Sequence, residues 1–156
     1  MRVHICAVGR LRRGPELDLI DDYAARFERT GRTLGLGPLT ITEVEDRKGG
    51  GVSAEAALLE RAIPGGAAIC VLDERGEIPT SRQFAARLAR WRDHGRADAA
   101  FVIGGADGVN AGLRDRADMV LSFGRMVWPH MLVRAMLAEQ LYRAAGILAG
   151  TPYHRD

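Results

Sequence analysis

Hydrophobic positions along this chain alternate between two periods, and the changes of period divide it into strands and helices. Short runs dense in β-branched and aliphatic residues predict strands at 3–8, 39–44, 67–72, 99–103 and a brief 119–121. The runs at 67–72 and 99–103 are apolar almost without interruption, the pattern of inner strands covered on both faces. Between the strands helical spacing takes over. Leu17, Ile20, Ala24 and Phe27 recur on one stripe and predict a helix over 16–29. Ser53 is placed to cap a helix reaching Ala62, closed by Pro64-Gly65-Gly66. Thr80 and Gln83 stand at capping-box spacing ahead of a helix over 81–94, stopped by Gly95. The longest helix, 131–148, is apolar on more than one stripe, so one face is expected against the sheet and another against a second subunit.

This alternation predicts one α/β domain over residues 1–156, a mostly parallel sheet with helices on both faces. Composition agrees, with 47% hydrophobic and 27% charged residues. No apolar run approaches the ~18–20 residues of a membrane span. The opening MRVHICAVGR is too broken by charge for a signal peptide, so a cytoplasmic protein is expected. Cys6 and Cys70 lie in apolar runs with no Cys or His at ligand spacing; they read as buried hydrophobes, and no metal is expected. The net charge of +2 does not mark a nucleic-acid binder. Arg10, Arg12 and Arg13 cluster, as do Arg143, His154 and Arg155, and charge alone favours reading both as solvated surface.

Candidate chemistry enters through the loops that follow strands, where parallel sheets bind ligands. Three look specialised: LDERG at 72–76, IGGADG at 103–108, and SFGRMVWPH at 122–130. Gly104 and Gly105 allow a close backbone approach to a ligand, although a glycine pair also serves many ordinary turns. The loop after the first strand has no G-x-G-x-x-G, and no phosphate-loop motif occurs anywhere. A dinucleotide fold with an early glycine fingerprint is therefore disfavoured, and the candidate ligand loops fall in the second half of the chain.

The combination of FVIGGADG at 101–108, Pro129-His130, AEQLYRA at 138–144 and PYHRD at 152–156 resembles the ribosomal RNA pseudouridine N3-methyltransferase H family. This is a small single-domain group of the SPOUT class, and the resemblance runs through the whole chain. It implies an α/β knot whose carboxyl-terminal segment forms a trefoil, a rare exception to ordinary connectivity. It also implies a homodimer, S-adenosylmethionine as methyl donor, and transfer to N3 of a pseudouridine in 23S ribosomal RNA. The low net charge points to an assembled large subunit or ribosome as substrate, because a weak phosphate attraction gives little general affinity for RNA.

By the same resemblance the cofactor is expected against Leu72, Gly104, Phe123, Gly124, Arg125, Met126, Val127 and Trp128. Arg143, Tyr153 and His154, with Arg155, are the candidates for positioning the RNA. His130 either caps its helix or faces the cofactor, and no general base stands out. The loop departs from the family's usual S-L-S-x-M-T-[LF]-P-H: Gly124 replaces a serine and Val127 a threonine. Those departures support an alternative, a catalytically silent protein of this fold that binds RNA or ribosomes. A nucleotide-binding module unrelated to RNA is a third reading, disfavoured by the missing early glycines.

Overall fold

The computed structural model describes residues 1–154. Five strands, β1 (Arg2–Val8), β2 (Leu39–Val44), β3 (Ala68–Glu77), β4 (Asp98–Ile103) and β5 (Met119–Leu121), form one sheet in the order β2-β1-β4-β3-β5. Every pairing is parallel. All strand carboxyl ends therefore open on one edge, and the loops that follow them share it.

Two apolar layers cover the sheet, and alternation along β1 shows how. Val3, Ile5 and Ala7 join Phe27, Leu88, Phe101, Leu137 and Leu141 on one face. Cys6 and Val8 join Leu59, Val71, Val102 and Leu113 on the other. The first layer carries α1 (Pro15–Gly31), α3 (Ser81–Asp93) and α5 (His130–Ala149). The second carries α2 (Gly51–Ala62) and the short α4 (Ala111–Asp115). Helices on both faces of a parallel sheet, with β4 buried along its whole length, match the expected class. Both cysteines are buried as small hydrophobes, and burial raises the Cys6 thiol to about 11.

Three boundaries differ from expectation for identifiable reasons. Ser53 does not cap α2, which already begins at Gly51. The Asp46 carboxylate accepts from the backbone N–H groups of Lys48 (3.0 Å) and Gly50, organising the turn two residues earlier. The segment 72–76 is not a loop beyond β3 but an excursion within it. Leu72 and Glu77 both pair with Leu121, so residues 73–76 leave the ladder and return. Gly76 permits the return, since a Cβ there would stand 2.6 Å from the Val120 carbonyl oxygen. The short α4, capped by Asn110 accepting from Leu113 N–H at 2.9 Å, carries too few residues to show a period. The capping box of α3 forms as expected, with Gln83 N–H to Thr80 Oγ1 at 3.2 Å and Thr80 N–H to Gln83 Oε1 at 2.8 Å.

Candidate active site

A cavity of about 280 Å³ lies at the carboxyl ends of β3, β4 and β5, walled by the three specialised loops. Of the eight residues assigned to a cofactor, Leu72, Gly104, Phe123, Gly124, Met126, Val127 and Trp128 line it. Arg125 does not; its side chain stands in solvent on the same loop. Met126 and Val127 are 70% and 80% exposed, so apolar surface surrounds the mouth without filling it.

Each wall is built by local constraints. Asp73 leaves β3 with its carboxylate almost covered. It accepts from Arg75 Nε and Nη2, both at 2.9 Å, and from Arg114 Nη1 at 3.2 Å. The Arg75 bond dominates in lowering its pKa to about 2. The wall from β4 turns back on itself at Gly105 and Gly108. A Cβ on Gly104 would lie 2.3 Å from the Gly108 carbonyl oxygen, so the turn itself demands glycine at 104, whatever the cavity holds. In the wall from β5, buried Ser122 donates to Gly124 O at 2.8 Å and accepts from Gly124 N–H at 3.1 Å. Gly124 has φ +117°, a conformation that strains the serine expected from the family pattern.

His130 opens α5, and its ring lines the cavity. Its Nε2 lies 3.7 Å from where a Cβ on Gly9 would stand. Burial, then the nearby Arg134 charge, lowers its pKa, while Glu55 opposes the shift. Behind it lies the group that sequence reading missed. Arg134 is 1% exposed and donates to Glu43 Oε1 at 3.0 Å, to Val8 O and to Gly9 O at 2.8 Å. It ties the start of α5 to the ends of β1 and β2. No pattern of spacing flags it, because an arginine on a helix reads as solvated surface.

The RNA-positioning candidates gather elsewhere. Arg143 donates to Glu139 Oε1 through Nη2 at 2.6 Å and Nε at 3.0 Å, and its guanidinium lies 4.8 Å from the Tyr153 ring centre. Tyr153 donates to the same carboxylate oxygen at 2.9 Å and packs on Tyr142 with ring centres 4.4 Å apart. Burial, then the bond to Glu139, raises the Tyr153 pKa. His154 Nδ1 sits 3.5 Å from Arg143 Nη1. Arg155 lies outside the described residues. The segment through Tyr153 is not frayed. Gly150 ends α5 in a left-handed turn, Thr151 N–H donates to Gly146 O at 2.9 Å, and the missing Cβ of Gly146 leaves room for Thr151 to fold back.

The helix keeps the two clusters apart. Arg143 follows His130 by thirteen residues of α5, which at ~1.5 Å per residue is about 20 Å. From Val133, the other cavity residue on α5, Arg143 is ten residues on, or about 15 Å along the helix.

A parallel sheet with a cavity walled by loops at the carboxyl ends of its strands is the ligand-binding arrangement of open α/β folds. The family model described as "Predicted SPOUT methyltransferase" matches residues 1–154, and the chain belongs to that family. It is 69% identical over 156 residues to "Ribosomal RNA large subunit methyltransferase H" of Roseobacter denitrificans, covering 100% of both chains. It is 67% identical over 156 residues to the protein of the same name from Paracoccus denitrificans, again covering all of both. A probable methyltransferase from Bordetella pertussis Tohama I shares the fold at TM-score 0.51 and 16% identity, over 92% of this chain and 96% of that one. A probable methylase family protein from Haemophilus influenzae Rd KW20 does so at TM-score 0.51 and 12% identity, over 99% of this chain and 70% of that one.

Proposed function

We propose that this protein transfers the methyl group of S-adenosylmethionine to N3 of a pseudouridine in 23S ribosomal RNA, on the assembled large subunit or ribosome. The observation that carries the reading is full-length identity of 67–69% to ribosomal RNA large subunit methyltransferases H. The pseudouridine and its N3 come from the motif resemblance, IGG-x-x-G, Pro129-His130 and the terminal PYH. An enzyme of ribosomal RNA works in the cytoplasm, and we place it there; among the described residues no helix is long and apolar enough to cross a membrane.

The cavity fits this cofactor in three respects. Its volume is near the lower end of the ~300–1,000 Å³ typical of ligand sites. Backbone groups of 103–108 and 122–124 line it beside the apolar surfaces of Leu72, Met126 and Trp128, a combination suited to a purine and its edge. Glu74 and Asp107 add negative charge to the walls for a cationic ligand, Asp73 being already paired with Arg75 and Arg114. When bound, S-adenosylmethionine supplies an electrophilic methyl carbon on a sulfonium.

The protein's share of the chemistry is positioning and charge. The acceptor nitrogen must approach in line within ~3–3.5 Å, and its imide proton must leave. A nearby cation that stabilises the resulting anion is worth roughly 10²–10³ in rate, the role assigned to Arg143 with Tyr153 and His154. The separation of roughly 15–20 Å along α5 between Arg143 and the cavity residues Val133 and His130 makes a homodimer part of the proposal. Met136, Leu132 and Leu19 line an apolar groove between α1 and α5, available to a second subunit. In such a dimer the tail of one chain completes the cavity of the other. The carboxyl-terminal trefoil belongs to the same proposal, supported by α5 following edge strand β5 yet packing back on α1 and α3.

Two measurements test this reading. Calorimetry should show S-adenosylmethionine binding, and its absence would turn the assignment to a silent RNA-binding protein of this fold. Truncation after Thr151 should preserve dimer and cofactor affinity while methyl transfer to large subunits falls by roughly 10²–10³. Turnover within twofold of the full chain would remove the role given to Tyr153 and His154.

A further inference from the structure

Three arginines close together in sequence stand outside both the cavity and the tail cluster. Arg10, Arg12 and Arg13 stand on the loop between β1 and α1, all exposed. Among the described residues none of the three has an ion pair or a side-chain hydrogen bond. Arg2, Arg26, Arg75, Arg92, Arg114 and Arg116 are each held by a carboxylate. Arg29, Arg61 and Arg90 are as unpaired among the described residues but lie on three separate helices, whereas Arg10, Arg12 and Arg13 share one loop.

The fold explains why these charges stay uncompensated. The nearest acid rooted in the sheet, Glu43, is already engaged: it accepts from buried Arg134 at 3.0 Å and from Leu11 N–H at 2.7 Å. The second bond pins the loop at Leu11, so the arginines on either side are presented from a fixed backbone. Beside the loop runs a groove where Asp21, Glu43 and Glu45 stand with Arg10 and Arg47, so its charge is mixed, while Arg12 and Arg13 lie outside its lining.

Position completes the argument. Gly9, where the loop begins, lies against His130, which lines the cavity. Four residues of fully extended chain span at most about 14 Å, so Arg13 stays within that distance of Gly9. A nucleotide whose base enters the cavity carries its flanking phosphates into this range. Arg125, exposed and likewise unpaired among the described residues, stands on the loop after β5 at the same edge.

We infer that Arg10, Arg12 and Arg13 form a docking surface for the phosphate backbone of the RNA that presents its base to the cavity. The planar guanidinium fork matches phosphate oxygens, and three free forks on one pinned loop favour a backbone over a single anion. The inference rests on the methyltransferase reading for the choice of RNA. It adds a surface that this reading does not contain.

The test compares the wild-type protein with the triple variant R10A/R12A/R13A, using purified bacterial large ribosomal subunits and, separately, deproteinised 23S RNA as probes. Binding is measured between about 50 and 200 mM salt, the range over which phosphate contacts weaken. The variant should bind both probes about tenfold or more weakly, with the slope of log affinity against log salt shallower by about 2, since each single-strand phosphate contact contributes roughly 0.7. Its S-adenosylmethionine affinity and melting temperature should match wild type, which shows that fold and cavity are intact. The triple lysine variant should recover most of the binding. Unchanged affinity and salt slope in the alanine variant would overturn the inference, as would a lysine variant no better than alanine. Weakened binding to subunits with unchanged binding to bare RNA would assign the loop to a ribosomal protein and overturn it as well. Absence of methyl transfer by wild type would count against the functional reading alone, because the binding measurement does not depend on turnover.

Discussion

Replacing Arg134 by methionine should destabilise the fold and weaken cofactor binding together, because its buried guanidinium ties α5 to the ends of β1 and β2. The guanidinium is 1% exposed, and burial, which lowers its pKa, opposes its charge while Glu43 supports it. It satisfies three acceptors on two strand ends: Glu43 Oε1 at 3.0 Å, Gly9 O at 2.8 Å and Val8 O. Arg134→Met preserves much of the stem's packing but strands those acceptors. Removing one partner of a buried ion pair costs about 3–5 kcal/mol, chiefly because the other charge is left without compensation. At roughly 2–4 °C per kcal/mol for a domain of this size, melting should fall by about 6–20 °C at fixed protein concentration. Cofactor affinity should fall with it, since Arg134 holds the turn of α5 that places His130 and Val133 in the cavity wall. A double-mutant cycle with Glu43→Gln isolates the pair: the combined variant should lose less than the sum of the single losses, with a coupling of about 1–3 kcal/mol. Urea denaturation of Arg134→Met showing a loss below about 1 kcal/mol would refute the reasoning. It would mean that water or a shifted loop satisfies the carbonyls at little cost.

The remaining predictions follow from the same geometry. Sedimentation at micromolar concentration should show a dimer, and a monomer of 17.0 kDa would remove the basis for a shared site. Gly104→Val should lower stability and cofactor affinity together, because its Cβ meets the Gly108 backbone; a variant that loses binding at unchanged melting temperature would contradict this. Gly124→Ala should cost about 1–3 kcal/mol through backbone strain alone, since no atom lies within 4 Å of the added Cβ; a neutral change in melting temperature would argue against that strain. Asp73 has a folded pKa of about 2, below its ordinary value, so the unfolded chain takes up this proton first as pH falls. Its stabilisation is full above roughly pH 4 and disappears as pH drops toward about 2. An acid unfolding curve unchanged in Asp73→Asn would show that the arginine pair contributes nothing.

Much of the architecture was legible without coordinates because local forces alone set it. The unbroken apolar run at 99–103 and period 3.6 at 17–27 report burial on both faces and on one, and burial is what the sheet imposes. Thr80 and Gln83 marked a helix start because a capping box is closed within four residues. The three loops that wall the cavity were legible too, from motifs at strand ends and the family resemblance they carry. Tertiary structure decided the rest wherever the partners are distant in sequence. Ser53 looked like a cap until Asp46 was seen to organise the turn before it. Residues 73–76 looked like a loop until β5, more than forty residues later, paired with both sides of the excursion. Gly104 looked like a ligand contact, and its missing Cβ proved to be required by Gly108. Arg143 and Tyr153 were legible as a pair, but only the rise of α5 puts Arg143 roughly 15–20 Å along the helix from the cavity residues Val133 and His130. Arg134 left no local trace: its three acceptors are 91 to 126 residues away, and a chain read in order carries no signal of what lies across the fold.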